Sequence, residues 1–438
     1  MSATAPGDAP RLAIVGGGWS GLAAAIEATS LGAAVTLFEM APQRGGRARS
    51  LDGGSDALDN GQHILIGAYT ETLGLMRRIG LAPDALLLRM PLRLRYPDRE
   101  TLRLPPGPPL VAFTRGVLGC SAWSWRDRLG FMTASTRWML NGFRCDPRLT
   151  VAALCASMPQ AVRDDLIDPL CVAALNTPAA QASAQVFLRV LKDALFSGPG
   201  SADLLLPRRG LSALLPDPAS DWLTSHGAQL LTQRVQQITI DEATRPRGPH
   251  RAGVQVDGAP FDAVILACTS VEAARLTRDL APDWSATAAA FEFQPIITVY
   301  LRGDGARLPA PMVALRESST EPAQFAFDLG QLDQQDGLFS LVISGAADWV
   351  AKGLEAAGAA ALAQATRCFD WPQAPQIVRV LSEKRATFAC TPGLQRPGDV
   401  IVPGVWAAGD YLDGPYPATL EGAVRSGLSA ARSAMRHG

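Results

Sequence analysis

Histidine, lysine and tyrosine are scarce: four, three and five respectively in 438 residues. The seven cysteines (Cys120, Cys145, Cys155, Cys171, Cys268, Cys368 and Cys390) are scattered and never form a C-x-x-C pair. That argues against a disulfide framework and against a zinc site, and it fits a reducing cytoplasm. The three lysines stand against 37 arginines, a skew that reads as coding bias, so a lone arginine carries little functional weight. No stretch approaches the roughly 18 to 20 consecutive apolar residues of a bilayer span, although 47% of the chain is apolar and only 18% charged. A formal net charge of −1 supplies no field to draw the protein onto nucleic acid. Met1 to Pro10 lack the basic start and apolar run of an export signal and read as a frayed tail. The length predicts two domains, and a single large α/β assembly also fits.

What is present begins at once. Leu12 to Val15 is an apolar run ending in glycines, Leu22, Ala25, Ile26 and Thr29 recur at helical spacing, and Val35 to Phe38 is a second β-rich run ending in Glu39. Residues 11 to 39 therefore read as one βαβ unit of parallel sheet. From about 91 to 204 the pattern turns to Pro-punctuated helical segments, which predicts an inserted, partly helical domain. Arg234 to Ile240, then Gly253 to Val256 and Ala263 to Ala267 after the turn-rich 241 to 253, signal a return to sheet. Residues 291 to 301 and 338 to 344 read as strands and 353 to 369 as an Ala-rich helix, a second excursion into the inserted domain. The chain closes with strand, loop and helix from Gly404 onward.

Gly16, Gly18 and Gly21 form G-x-G-x-x-G at the first strand-to-helix junction. The first allows a tight turn, the second lets a pyrophosphate approach the backbone, and the third lets helix and strand pack closely, while the helix N-terminus attracts negative charge. Alone, the spacing is equally that of a Gly-rich turn. Glu39 lies where a carboxylate accepts from both hydroxyls of an adenosine ribose and repels a 2′-phosphate, which favours FAD or NAD over NADP. Next comes Arg44-Gly45-Gly46-Arg47, where the glycines permit close approach and Arg47 or Arg44 pairs with pyrophosphate oxygens; the bland alternative is a basic surface turn.

In that order the three features resemble the amine oxidase and phytoene desaturase superfamily of FAD enzymes. Val405-Trp406-Ala407-Ala408-Gly409-Asp410 and Ala418-Thr419-Leu420-Glu421-Gly422-Ala423 are similar to its closing flavin motif. The resemblance implies a discontinuous Rossmann-type FAD-binding domain of α/β class (1–90, 205–275 and 385–438) with an inserted α+β substrate domain (91–204 and 276–384). It also implies that Asp410 bonds the ribityl or pyrophosphate region, that amides near Thr419 and Leu420 face the flavin pyrimidine oxygen, and that Val235 meets the adenine. A helix N-terminus at that oxygen stabilises the anionic reduced flavin. Cys268, at a strand end, reads as a buried core residue.

Asp59-Asn60-Gly61-Gln62-His63-Ile64-Leu65-Ile66-Gly67-Ala68-Tyr69 and Ala386-Thr387-Phe388-Ala389-Cys390-Thr391-Pro392-Gly393 narrow the resemblance to the hydroxysqualene dehydroxylases, also called squalene-associated FAD-dependent desaturases. This implies replacement of the hydroxyl of a C30 isoprenoid by hydrogen, with Gln62 and His63 near the flavin ring. Losing an allylic hydroxyl needs an acid at the leaving oxygen, shelter from water, and hydride delivery from flavin N5 to a carbon held within roughly 3 to 3.5 Å. His63 leads the acid candidates, with Tyr300, Asp59 and Tyr411 as substitutes; a core or supporting role is the plainer reading of His63. Thr298 stands where many amine oxidases carry a lysine, which disfavours amine oxidation.

Residues 116 to 140 interleave Trp123, Trp125, Phe131, Met132, Trp138 and Met139 with Arg126, Arg128 and Arg137. This fits either a helix resting peripherally on the inner face of a membrane, where it admits a long isoprenoid, or plain core filling. The rivals are a carotenoid or polyprenyl desaturase, a prenyl-binding chaperone of the same architecture and, least favoured, an amine oxidase. With no second dinucleotide fingerprint, the sequence names no electron donor.

Overall fold

The computed structural model describes residues 9–51, 58–240 and 253–437. Most of the segment read as a frayed tail, and the turn-rich stretch up to 252, lie outside them.

A six-stranded sheet forms the base, ordered Val400–Val402, Val405–Ala407, Ala263–Leu266, Arg11–Val15, Ala34–Glu39, Gln229–Thr232. Its first pair is antiparallel and the rest run parallel. Leu12, Ile14, Leu37, Ala263 and Ile265 have no exposed surface, as expected of parallel strands covered on both faces. The chain reaches the second strand through the helix Trp19–Ser30, and the terminal helix Leu420–His437 lies against that helix. They pack so closely that a Cβ on Gly427 would stand 2.1 Å from the Ser20 carbonyl oxygen. Burial of these faces brings the two ends of the chain together, a long-range closure that the hydrophobic effect must drive against loop entropy.

Of the strand expected over Arg234 to Ile240, only Ile238–Ile240 is extended and paired. The preceding amides of Gln236 and Gln237 both donate to Asp257 Oδ1 (2.9 Å each), so they are satisfied by a turn side chain rather than by a ladder.

A five-stranded antiparallel sheet stands beside the first, ordered Met312–Ala314, Phe325–Asp328, Leu338–Ile343, Phe293–Arg302, Gln376–Phe388. The helix Leu354–Cys368 covers one face, where Ala357, Ala361 and Ala365 meet Ile297, Val299, Leu341 and Ile343. Small side chains are needed here, since a Cβ on Gly358 would sit 2.8 Å from Val380 Cγ2. The opposite face carries Tyr300, Phe325, Phe327 and Val342, which pack with the helical region from Pro109 to Phe196 in one apolar cluster. Strand Leu204–Pro207 joins Leu65–Ile66 to Leu87–Met90 and thereby anchors the Asp59–His63 segment between the two large sheets.

Candidate flavin-binding and active site

The glycines cluster as a cradle. Gly16 (φ +113°) donates to the Phe38 carbonyl at 2.7 Å, and a Cβ on Gly21 would stand 1.8 Å from the Gly16 oxygen. Gly45 donates to the Gly17 carbonyl at 2.8 Å, which lays the second glycine motif on the first. Among the described residues beyond its chain neighbours, a Cβ on Gly18 would come within 4 Å only of Gly46 Cα, at 3.9 Å. The two backbones thus face each other bare of side chains at the N-terminus of the first helix, the shape and polarity that a pyrophosphate fits. Arg44 Nε lies buried there without a partner among the described residues, a donor in want of an acceptor.

Glu39 is held by two amides, Gly17 N–H at 2.7 Å and Ala41 N–H at 2.8 Å, at the end of its strand beside the cradle. Val235 is buried, and its carbonyl accepts from Arg275 at 2.6 Å, itself fixed by Glu272. Cys268 is only partly buried, a correction to its reading as a core residue: it stands just past strand Ala263–Leu266, where the chain leaves the sheet. Its packed surroundings raise its thiol to about 12.

Arg47, the other arginine expected near the pyrophosphate, makes protein contacts at this end of the motif. Its guanidinium meets Asp410 at 2.6 Å and the Ala386 carbonyl at 2.6 Å. Burial alone would lower its pKa, but the Asp410 and Glu383 carboxylates override that and raise it. Asn60 donates to both the Arg47 carbonyl and Glu383 at 3.1 Å. Glu383 was not legible as a site residue. It lies on a long strand whose partner across the sheet is Ile296, and only that pairing turns it toward Arg47. The Gly409 amide donates to Ser426 at 2.8 Å, and Thr419 caps the last helix by accepting from Gly422 at 3.0 Å.

Three of the acid candidates, Asp59, His63 and Tyr300, share the Asp59–His63 segment, while Tyr411 stands on the Asp410 loop beside Phe291. The Tyr300 hydroxyl donates to the Asp59 carbonyl at 2.9 Å. The Asp59 carboxylate turns the other way, accepting from Ser50 at 2.8 Å and from the Leu211 amide at 2.9 Å; burial, partly offset by those donors, raises it to about 6. His63 Nδ1 lies 2.9 Å from the Gly61 carbonyl. Because a carbonyl only accepts, Nδ1 carries a proton, which in the neutral ring leaves Nε2 with its lone pair. Burial lowers the His63 pKa, with the Gly61 contact opposing and the Arg47 charge assisting. With Nδ1 engaged by the Gly61 carbonyl, Nε2 is the ring atom left to face a substrate. Tyr411 differs from all three: its hydroxyl is buried with no partner among the described residues, its ring lies over Gly409 and 6.0 Å from that of Phe291, and burial raises its pKa well above the usual value. Gln62 accepts from Ser340 at 3.3 Å, and Thr298 Oγ1 faces Gly61.

The family model for flavin-containing amine oxidoreductases matches residues 19–435. The chain belongs to this family. It is similar over nearly its whole length to hydroxysqualene dehydroxylases; that of Rhodopseudomonas palustris is 28% identical, covering 95% of this chain and 96% of the relative. Over a shorter stretch it is 37% identical to a zeta-carotene desaturase of Synechocystis, covering 16% and 14% of the two chains. An oxidoreductase structure from Methanosarcina mazei superposes with a TM-score of 0.72 at 16% identity, covering 96% and 100%. The protein is an FAD-dependent oxidoreductase of the amine-oxidase fold. Among the described residues no helix is long and apolar enough to cross a membrane.

Proposed function

We propose that the protein reductively removes the hydroxyl of hydroxysqualene to give squalene. The observation that carries this reading is the end-to-end similarity to enzymes of that name, and the uncommitted Tyr411 hydroxyl in apolar surroundings supports it. Residues 1–90, 205–275 and 385–438 would hold FAD, with 91–204 and 276–384 enclosing the C30 isoprenoid. Gly16, Gly18, Gly21, Gly45, Gly46 and Arg44 receive the pyrophosphate, Glu39 the adenosine ribose, Val235 the adenine, and Gln62, Asp410, Thr419 and Leu420 border the ribityl and ring region. Reduced FAD, when bound, supplies the hydride. Tyr411 holds its proton at the leaving oxygen, His63 Nε2 contacts the substrate hydroxyl and orients it, and the apolar walls keep water from the carbon that loses oxygen. Hydroxyl and proton leave as water, and carbon gains hydrogen. The substrate comes from the inner face of a membrane, to which the cytoplasmic enzyme attaches peripherally, and a separate reductant restores the flavin.

Anaerobic incubation of the pre-reduced protein with hydroxysqualene, followed by lipid identification, tests the assignment: squalene is the expected product. The similarity to a carotene desaturase supports a second reading, in which FAD accepts hydride and a polyene gains double bonds. Oxidised enzyme that desaturates a polyene while leaving hydroxysqualene intact establishes that reading instead.

A further inference from the structure

Helices Pro109–Leu118 and Trp125–Leu140 lie together, with the rings of Phe113 and Phe131 5.6 Å apart. Their inner faces are filled: Trp123, Phe131 and Trp138, which the sequence offered to a membrane, are buried. The outward apolar residues are others. Leu110, Val111, Leu118, Trp125, Leu129 and Leu140 are exposed, Trp125 by 65% and Leu140 by 83%. Exposed apolar side chains on one pair of helices mark an interaction surface.

Charge says what kind. Between Arg103 and Arg144 the chain carries six arginines against one acid, Asp127, in a protein of net charge −1, and Asp127 is spent on the Ser124 cap. Arg115, Arg126 and Arg137 are exposed beside the apolar residues. Apolar side chains flanked by arginines, with a tryptophan among them, match acyl chains beneath phosphate headgroups.

Beneath these helices lies a cavity of about 30 Å³ lined by Phe113, Phe131, Trp138, Leu166 and Ile167 among others. A second, of about 220 Å³, opens between Pro105–Pro109 and Gly198–Asp203. Both are bounded by Leu92, Leu104 and Leu195. Together they fall short of the roughly 300 to 1,000 Å³ of a ligand pocket, so a long apolar molecule enters only if that shared wall moves aside.

We propose that this face docks on an anionic phospholipid bilayer, and that the gap between Pro105–Pro109 and Gly198–Asp203, beside Leu110 and Val111, is the mouth through which lipid enters. The docking stands by itself; the mouth rests on the isoprenoid reading above. The test is flotation of the full-length, FAD-loaded protein with vesicles of phosphatidylcholine, with and without phosphatidylglycerol. Wild type floats with the anionic vesicles, Leu110→Glu/Val111→Glu partitions about tenfold less, and Leu31→Glu, a comparable change at a 49% exposed leucine elsewhere, floats like wild type. Hydrogen exchange on wild type, independent of any variant's folding, slows within 105–140 when anionic vesicles are added. Wild type left in the aqueous fraction, a double variant that floats like wild type, or protection outside 105–140 overturns the proposal. Product analysis in detergent micelles reports on the dehydroxylation by itself, so the two readings fail separately.

Discussion

Arg47 and Asp410 meet at 2.6 Å across 363 positions of sequence, and the pair ties the second glycine motif to the loop that precedes the last helix. Asp410 is nearly buried while the Arg47 side chain is 35% exposed. Removing the arginine strands a buried carboxylate, a cost of 3 to 5 kcal/mol in fully buried pairs and, with this much solvent access, about 2 kcal/mol. Arg47→Met is expected to lower the melting temperature of the apoprotein and weaken FAD binding at least tenfold by fluorescence titration. Asp410→Asn should be milder, since Arg47 keeps Glu383 nearby. A double variant costing less than the sum of the single changes marks the pair as coupled; additive costs refute it.

Two glycines of the same motif should fail differently. Gly21→Ala drives a methyl to 1.8 Å from the Gly16 oxygen, so strand and helix must separate, and we expect destabilisation beyond about 4 kcal/mol or no folded protein. At Gly18 the backbone is extended into the helix (φ −72°) and a methyl meets nothing closer than 3.9 Å. Gly18→Ala should therefore leave apoprotein stability within about 0.5 kcal/mol of wild type yet impair FAD binding, because the methyl fills space meant for pyrophosphate. Calorimetry of the two apoproteins beside FAD titration separates the roles; a Gly18→Ala protein with unchanged affinity moves the pyrophosphate elsewhere.

The contrast shows what the sequence carries. The βαβ unit and its glycines were legible because every contact that defines them is local: a strand, a turn and a helix within 29 residues. Glu383 was not, because its relation to Arg47 depends on the pairing of Ile296 with Glu383 across the second sheet. Which side of Trp125–Leu140 faces outward was left open for a related reason. Composition showed tryptophan and arginine together, but only packing against Phe113 and Phe131 decided that Trp123 and Trp138 turn inward and Trp125 and Leu129 outward. His63 was located by its motif, whereas the engagement of its Nδ1 by a carbonyl two residues away came only from the fold.

Asp59 should leave a signature in stability against pH. Its folded pKa of about 6 exceeds its ordinary 3.8, so between pH 4 and 6 the native state binds the extra proton and stability falls as pH rises. The loss, complete above about pH 7, is on the order of 2 to 3 kcal/mol. Asparagine can still accept from Ser50 and the Leu211 amide. Asp59→Asn apoprotein is therefore expected to be more stable than wild type at pH 7.5 and equal to it near pH 4, by denaturant titration at both. A gap independent of pH would mean that the carboxylate is not buried as described. Because the group faces residues 210–212, the variant should also retain turnover.

Tyr411 allows the sharpest separation of stability from catalysis. Its hydroxyl is buried and unpartnered, and deleting such a group relieves an unmet desolvation cost, whereas deleting a bonded one exposes its partner. Tyr411→Phe should thus melt at or slightly above the wild-type temperature and bind FAD as before. If the hydroxyl delivers the proton to the leaving oxygen, single-turnover reduction of hydroxysqualene should slow by about 10²-fold or more. The pH profile distinguishes it from His63. A raised phenol stays protonated throughout, which predicts a rate flat from pH 6 to 9. A histidine acid with a lowered pKa would instead predict a rate climbing steadily toward acid across that range. A Tyr411→Phe enzyme with undiminished turnover removes the phenol from the chemistry, and an acid-climbing wild-type profile returns the role to His63.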